Sequence, residues 1–549
     1  MLTGFAYARP QLEQALLRAV RALGVEEVPD LELQRARNPR NGDYASPVAM
    51  KLARALRQPP PQIAARLAEQ VGELPEAELE VAGAYLNFRL RTEWLHRLAT
   101  VSALDERYGS SELGGGERVQ VEFGSINPTG PLHVGHGRGV VLGDALSRIL
   151  EFTGHQVQRE YYVNDQNTQA RLFGASVYAR LVGRPLPERG YTGAYVTALA
   201  EEARAALPGI ETEPEEEALP KVQAHAIARM VERLRTSLLR LQVEYDEWYF
   251  ESTLWRDGLA PEAIELLGER GMLTEHDGAV WFAPAVEGWE SDDDERVVMR
   301  STGEPTYFAS DLGYLLSKYR VRGFQREIEV WGADHHGYVP RMRAAVAALG
   351  FDPAAFEVIL VQLASVTGGR MSKRQGRFIT IDELVDAVGS DAARYFYLLR
   401  SADQAMVFDL DLAIREGSEN PVYYAQYAHA RLANVEHTAA ARHPALPATP
   451  DLSLLSNPWE LAVLREIARW PDVVEVAARL REPHRLPPYV HDLADRVHGF
   501  YHEGNTNPEH RMVVDSPETT RARLELARAA RNTLRIALSL MGVSAPERM

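Results

Sequence analysis

Asn127-Pro128-Thr129-Gly130-Pro131-Leu132-His133-Val134-Gly135-His136-Gly137-Arg138 is the stretch on which the reading of this chain turns. Gly130, Gly135 and Gly137 let backbone approach a ligand closely. An alternating apolar strand at 119–123 precedes the run, and the spacing after it predicts a helix over 138–152. A helix N-terminus presents free amides and the positive end of its dipole to phosphate. His133 and His136 can donate hydrogen bonds to phosphate oxygens as charge builds on a leaving group. Alone, His-x-Gly-His is a weak signal that also occurs in small nucleotidyltransferases. The competing reading is a pair of loop histidines with surface contacts, and the strand and helix on either side weigh against it.

Outward from this run the chain alternates strand and helix. Residues 156–163 read as the next strand and 165–181 as the next helix, so a parallel, doubly wound nucleotide-binding sheet is expected. Helical segments near 195–208 and 219–241 suggest an insertion at about 185–290 between two halves of that sheet. Strands are expected again at 327–331 and 358–363, with a helix over 337–349 between them. A Gly/Ser/Arg loop at 364–377 comes next, and Thr380 with Glu383 has capping-box spacing, placing a helix start at Ile381. Residues 1–112 read as a separate α+β module with helices at 11–23, 47–56 and 61–71 and a strand at 80–90. Residues 113–365 hold the sheet, 366–414 a connecting helical region, and 415–549 a helical bundle with proline-bearing breaks.

The bulk composition is that of a soluble globular chain of several domains: 549 residues, 45% hydrophobic and 25% charged. No apolar run is long enough to span a bilayer and no signal-peptide pattern opens the chain, so a cytoplasmic protein is expected. With no cysteine, disulfides and thiolate metal sites are excluded. The net charge of −17 argues against a surface that binds nucleic acid all over, but not against local basic patches. Only four of the 60 basic residues are lysines: Lys51, Lys221, Lys318 and Lys373. One of these rare lysines lies in the glycine-flanked run Arg370-Met371-Ser372-Lys373-Arg374. A compact, mobile ammonium is the better partner for charge developing on pyrophosphate. The alternative is a solvated basic loop.

In this order, the two runs resemble the paired ATP-binding signatures of class I aminoacyl-tRNA synthetases. Flanking residues narrow the resemblance to the arginyl-tRNA synthetase family over nearly the whole length. They are Val121–Arg138, Tyr161-Tyr162-Val163-Asn164-Asp165, Val330-Trp331-Gly332-Ala333-Asp334-His335-His336-Gly337-Tyr338, the run from Glu419 to Arg431, and Asn41-Gly42-Asp43-Tyr44-Ala45-Ser46. The sequence departs from the family at Arg370, where the signature has its first lysine, at Arg374, and at Gly124 and Ile126.

The resemblance implies an α/β fold: a Rossmann-type parallel catalytic sheet, an α+β N-terminal domain that contacts tRNA, and an all-α anticodon-binding bundle. It implies ATP-dependent activation of L-arginine and transfer to tRNA(Arg), with Mg²⁺ accompanying ATP, no structural metal, and a monomer. Its catalytic residues would be His133, His136 and Lys373. ATP would meet Thr129, Gly130, His133, Gly135, His136, Met371, Ser372 and Lys373. Arginine would meet Glu122, Ser125, Asn127, His136, Tyr307, Asp311, Asp334 and His335. For tRNA the implied contacts are Asn41, Asp43, Tyr44, Tyr423, Gln426, Tyr427 and Arg431.

Chemistry agrees with arginine, because a planar guanidinium needs carboxylates and acceptors held in plane. Tyr307 and Asp311, four apart, share a helix face. A helix-end or surface carboxylate is the alternative for Asp311, and a packed core histidine that for His336. Bundle core is the favoured reading for at least two of Tyr423, Tyr424 and Tyr427. A synthetase for another amino acid, a nucleotidyltransferase and a non-catalytic tRNA-binding paralogue remain as rivals.

Overall fold

Five parallel strands lie at the centre of the chain in the order Phe356–Val361, Arg326–Gly332, Arg118–Glu122, Gln156–Val163, Glu247–Phe250. The structure is a computed structural model that describes residues 7–36, 38–286, 296–362, 364–367 and 379–549. The chain builds outward from Arg118–Glu122 to one side, then returns to the other side of the same strand. That reversal is the point at which doubly wound sheets bind ligands, beyond the carboxyl ends of the strands. The glycine-rich run occupies this position. Gly124 and Ser125 turn the chain there with φ of 82° and 39°. At Gly124, a departure from the family pattern, glycine suits the left-handed backbone, and a Cβ would come within 2.7 Å of the Tyr245 hydroxyl.

The helix after the run spans Val134–Phe152, starting four residues before the expected 138. His133 is its N-cap: its side chain accepts from the Gly135 amide, and His136 closes a capping box. Gly135 and Gly137 are therefore in the first helical turn rather than the loop, while Gly130 precedes the helix. Close packing explains Gly137 and, further along the helix, Gly143. A Cβ on Gly143 would lie 2.2 Å from Phe123, and one on Gly137 would lie 2.7 Å from the Tyr397 hydroxyl.

Residues 185–290 do not form one insertion. Helices Thr168–Val182, Ala194–Ala206 and Glu215–Arg240 come first, but Glu247–Phe250 then returns as an edge strand of the main sheet, pairing with Glu160–Val163. A small antiparallel sheet of Leu273–His276, Ala279–Phe282 and Arg296–Met299 comes after it. The stretch read as a loop at 364–377 begins as a strand, Ala364–Thr367, parallel to Met406–Asp409. Thr380 caps Ile381–Val388 with the expected box.

In the N-terminal module the strand expected at 80–90 is a hairpin, Ala77–Ala82 with Tyr85–Leu90, turning through Gly83 at φ 62°. It sits in a four-stranded antiparallel sheet covered by helices. The C-terminal bundle comprises Pro421–Arg442, Pro458–Leu480, Leu486–Thr506 and Pro517–Leu540. The first and last domains dock on each other. The Tyr108 hydroxyl donates to the Ile467 carbonyl at 2.9 Å, the buried Trp470 indole donates to the Tyr108 carbonyl at 2.9 Å, and Asn532 donates to the carbonyls of Ser102 and Asp105.

Candidate active site

Two clefts meet at the pair Asn127–Asn167. The first, of about 410 Å³, is lined by Ser125, Asn127, His133, Gly135, His136, Asp334 and His335 among others. The imidazole rings of His133 and His136 lie 3.5 Å apart. Each Nδ1 accepts a backbone N–H, from Gly135 at 3.2 Å and from His133 at 3.5 Å. The proton of each neutral ring is thereby placed on Nε2. Burial pushes His133 down, and burial together with its histidine neighbour pushes His136 down to about 3. Both rings are therefore neutral donors at physiological pH, suited to phosphate oxygens.

The histidine turn is pinned to the chain just after the second signature. The Val134 amide donates to the Ile379 carbonyl at 3.0 Å, and Ile381 donates to Leu132 at 2.9 Å. The Tyr397 hydroxyl donates to the Val134 carbonyl at 2.8 Å. Arg370, Met371, Ser372, Lys373 and Arg374 themselves lie outside the described residues. Thr129 and Gly130 are not brought into this cleft. Thr129 is buried, and its carbonyl accepts from the Tyr195 hydroxyl of the inserted helix at 2.9 Å. Asp334 and His335 are exposed and 3.7 Å apart, in the cleft with the histidines rather than beside Tyr307. His336 is exposed too, so it is not a core histidine.

The second cleft, of about 390 Å³, is lined by Asn167, Thr168, Glu251, Glu304, Tyr307 and Ser310 with others. The Tyr307 ring is half exposed across its mouth, its hydroxyl donating to the Thr168 hydroxyl and accepting the Thr168 amide, both at 2.9 Å. Asp311 is one turn further along the same helix, bonded to the Tyr338 hydroxyl. Its surface is partly open, yet it is set so deep among protein atoms that desolvation pushes its carboxyl up to about 7. It is neither a helix-end nor a surface carboxylate. Asn127 bridges the clefts, donating to Gln169 at 2.9 Å and accepting from Asn167 at 2.8 Å.

Sequence reasoning missed Glu251. Its side chain is almost fully buried, its Oε2 has no hydrogen-bond partner among the described residues, and burial with Asp311 and Asp165 nearby pushes it up to about 7. A buried carboxylate oxygen without a donor, beside a second buried carboxylate and open to a cleft, is suited to a cation. No local pattern marks it, because it comes after an ordinary short strand.

Glu122 lies beneath both clefts. One oxygen accepts from the Ser125 hydroxyl at 2.9 Å and the other from Lys318 at 2.8 Å. Strand register sets Glu329, Glu122 and Glu160 side by side in one row across three neighbouring strands. Lys318 Nζ also bonds Glu327 and, at 2.7 Å, Glu329. Glu122, Glu327 and Glu329 have the spacing of a metal site, but the ammonium fills its centre. The rarity of lysine that pointed to Lys373 pointed equally to Lys318.

Several expected tRNA contacts are turned inward. Tyr44 is buried, its hydroxyl on Asp472 at 2.6 Å and the Arg35 guanidinium over its ring. Asp43 accepts the Leu90 amide at 2.8 Å. Gln426 is spent on Asp391 at 2.8 Å and Ser544 at 3.0 Å. Tyr44 and Gln426 hold separate parts of the chain together and Asp43 braces its own module, whereas Asn41 is exposed on a concave face of the N-terminal module. In the bundle none of the three tyrosines is fully buried: only Tyr424 packs on the core, while Tyr423 and Tyr427 stack on each other and Arg431 lies over Tyr427.

The sheet, the histidine turn at its switch point and the helical bundle define a class I aminoacyl-tRNA synthetase. Residues 99–181 and 194–434 match the family described as "tRNA synthetases class I (R), catalytic domain". Residues 10–90 match "Arginyl tRNA synthetase N terminal domain", and 425–549 match "DALR anticodon binding domain". The chain is 41% identical to an arginine–tRNA ligase of Moorella thermoacetica, covering 97% of each. It is similar to the structure of Thermus thermophilus arginyl-tRNA synthetase, with TM-score 0.80, 26% identity and 98% and 100% of the two chains covered. A putative arginyl-tRNA synthetase from Campylobacter jejuni gives TM-score 0.73 at 33% identity over 84% of this chain and 100% of that one. This chain belongs to the arginyl-tRNA synthetase family.

Proposed function

We propose that the two clefts divide the reaction of an arginine–tRNA ligase between them, ATP in the histidine cleft and the arginine side chain in the carboxylate cleft, with Asn127 at the junction. The chain activates L-arginine with ATP to arginyl-adenylate, releasing diphosphate, and transfers the arginyl group to the 3′ end of tRNA(Arg), releasing AMP. The observation that carries the division is the contrast in charge: neutral histidines that donate line one cleft, whereas Glu251 lines the other with the Asp311 charge beside it, nothing cationic being bonded to either among the described residues.

In this reading the α-carboxylate of arginine reaches from the second cleft across Asn127 to the α-phosphate in the first. The guanidinium lies between Glu251 and Asp311 under the Tyr307 ring. Binding a cation there draws both carboxyls into their ionised form, and lysine would leave in-plane acceptors unpaired. His133 and His136 donate from Nε2 to phosphate oxygens, and the Val134–Phe152 helix points its N-terminus at them. Lys373 neutralises the leaving diphosphate. Support for its placement is the pinning of Ile379 to Val134, which returns the chain beside the histidines six residues later. Mg²⁺ enters on the ATP phosphates. Asp334 and His335 border the nucleotide rather than the guanidinium. The half-buried group of Tyr423, Tyr427 and Arg431 offers partly open ring and guanidinium surfaces to unpaired tRNA bases, and Asn41 marks a second contact on the N-terminal module.

We further infer a monomer in the cytoplasm. Among the described residues no helix is long and apolar enough to cross a membrane. The test is ATP–diphosphate exchange over all the amino acids, with and without tRNA. Exchange with arginine and tRNA together is expected; exchange driven equally by another amino acid would overturn the assignment.

A further inference from the structure

The helix that begins with the pocket residues does not stop at the pocket. Tyr307, Asp311, Tyr314, Lys318 and Arg322 succeed one another three or four apart down Tyr307–Leu316 and the π-turn Ser317–Val321, and so share one face over the sheet. The upper part of that face is the arginine cleft. The lower part presses two cations onto the row of glutamates. Lys318, fully buried, bonds Glu122, Glu327 and Glu329, with its Nζ 3.9 Å above the Tyr314 ring. Arg322 bonds Glu160, which also accepts the Tyr314 hydroxyl. A π-turn inserts an extra residue and re-aims the side chains beyond it.

A buried ammonium is costly unless several acceptors surround it. Here burial works against its charge, and Glu122, Glu327 and Glu329 together hold it charged. In turn Lys318 is the cation that opposes protonation of Glu122, Glu329 and Asp311. From Glu122 the contact continues through the Ser125 hydroxyl, which accepts the Tyr162 amide at 3.1 Å, to the turn that carries Asn127.

We propose that Lys318 is a positioning residue that fixes Glu122 and keeps the arginine pocket ionised, acting through the glutamate row and not on substrate. This rests on the pocket assignment above. The charged and titratable groups facing the cage are Glu122 and Glu160 from two strands, Glu327 and Glu329 from a third, and Tyr314, Tyr319 and Arg322 on its own element. Asp311 faces it from above, itself faced by Tyr338 with Arg341 behind, and by Glu251 and Tyr162.

The test is the pH dependence of kcat/KM for arginine, read by tRNA-dependent ATP–diphosphate exchange. Lys318→Met should move the acidic limb up by about one pH unit, which raises the arginine KM at pH 7 about fivefold, with the ATP KM little changed. Glu327→Gln, which deletes a negative charge behind the lysine, should move the limb down. The double variant should bring it back towards wild type, and Lys221→Met, a surface lysine paired with Glu213, should leave it in place. Unmoved limbs, limbs that move the same way in both single variants, or equal changes in the two Michaelis constants would overturn the proposal. Where Lys318→Met does not fold, the direction of Glu327→Gln decides alone. A wild-type enzyme with no arginine-dependent exchange would instead sink the pocket assignment itself.

Discussion

The histidine cleft and the carboxylate cleft meet at one asparagine but are built in opposite ways. The donors of the first come from consecutive residues, one turn, one helix N-terminus and two rings in van der Waals contact, with Asp334 and His335 closing the cleft from another strand's end. The second draws Asn167, Glu251 and Tyr307 from three separate elements, with Asp311 one turn below Tyr307, over a glutamate row assembled by strand register. Local geometry suffices for phosphate, which is recognised by amides and neutral donors at a helix end. A buried cation pocket needs several carboxylates whose mutual repulsion must be balanced, and only a folded core can supply the balance. The two clefts should therefore fail differently when perturbed.

The largest effect is expected at the phosphate end. Lys373→Ala should slow ATP–diphosphate exchange by about 10²–10³-fold, the scale of losing one donor to a developing charge, with the arginine KM nearly constant. A comparable rise in arginine KM would erase the division between the clefts. Next in size is a stability effect on the helix that carries the histidines. Arg394 is buried against Asp144 of that helix and donates to the Met541 carbonyl of the C-terminal bundle at 2.8 Å. Arg394→Met should cost about 3 kcal/mol in denaturant unfolding, the lower end for breaking a buried pair, because Asp144 keeps Arg148 at 2.8 Å.

Asp311→Asn should raise the arginine KM about tenfold or more while ATP affinity holds, on the scale of one charged hydrogen bond of roughly 1.5–3 kcal/mol. Steady-state kinetics varying each substrate in turn would decide it. A titration sharpens the comparison further. Glu251 and Asp311 are held up near 7 and form one coupled pair, so arginine kcat/KM should fall as pH drops below about 7, whereas ATP binding should stay level. The clefts also pull stability in opposite directions. The folded state binds fewer protons at His136 than the unfolded chain does, so that contribution is lost as pH falls from the ordinary histidine range towards about 3. At Glu251 and Asp311 the folded state binds more protons, so stability is lost as pH rises from the ordinary carboxylate range towards about 7. The smallest effect is Thr380→Ala. It removes the cap that bonds Glu383 at 3.1 Å and should cost about 1 kcal/mol in unfolding.

The contrast also explains what was legible beforehand. The switch-point turn, the Thr380 cap and the Tyr307/Asp311 face were readable because each is set by neighbours along the chain. The resemblance implies arginine contacts for Asp334 and His335, but the residues after Gly332 turn towards the histidines. It also implies tRNA contacts for Tyr44, Asp43 and Gln426, and a resemblance does not record which way a side chain turns. Their partners, Asp472, the Leu90 amide and Asp391, are supplied by other elements.

By itself, the sequence determined the class of chemistry, the family and the α/β sheet flanked by an α+β module and a helical bundle, since these rest on local periodicity and contiguous motifs. Only the tertiary structure decided that Glu251 lines the second cleft, that Lys318 sits among three glutamates, and that the two histidines line a different cleft from Glu251. Burial, register and the sign of a neighbour's charge depend on residues far apart in the chain, and no spacing along the sequence records them.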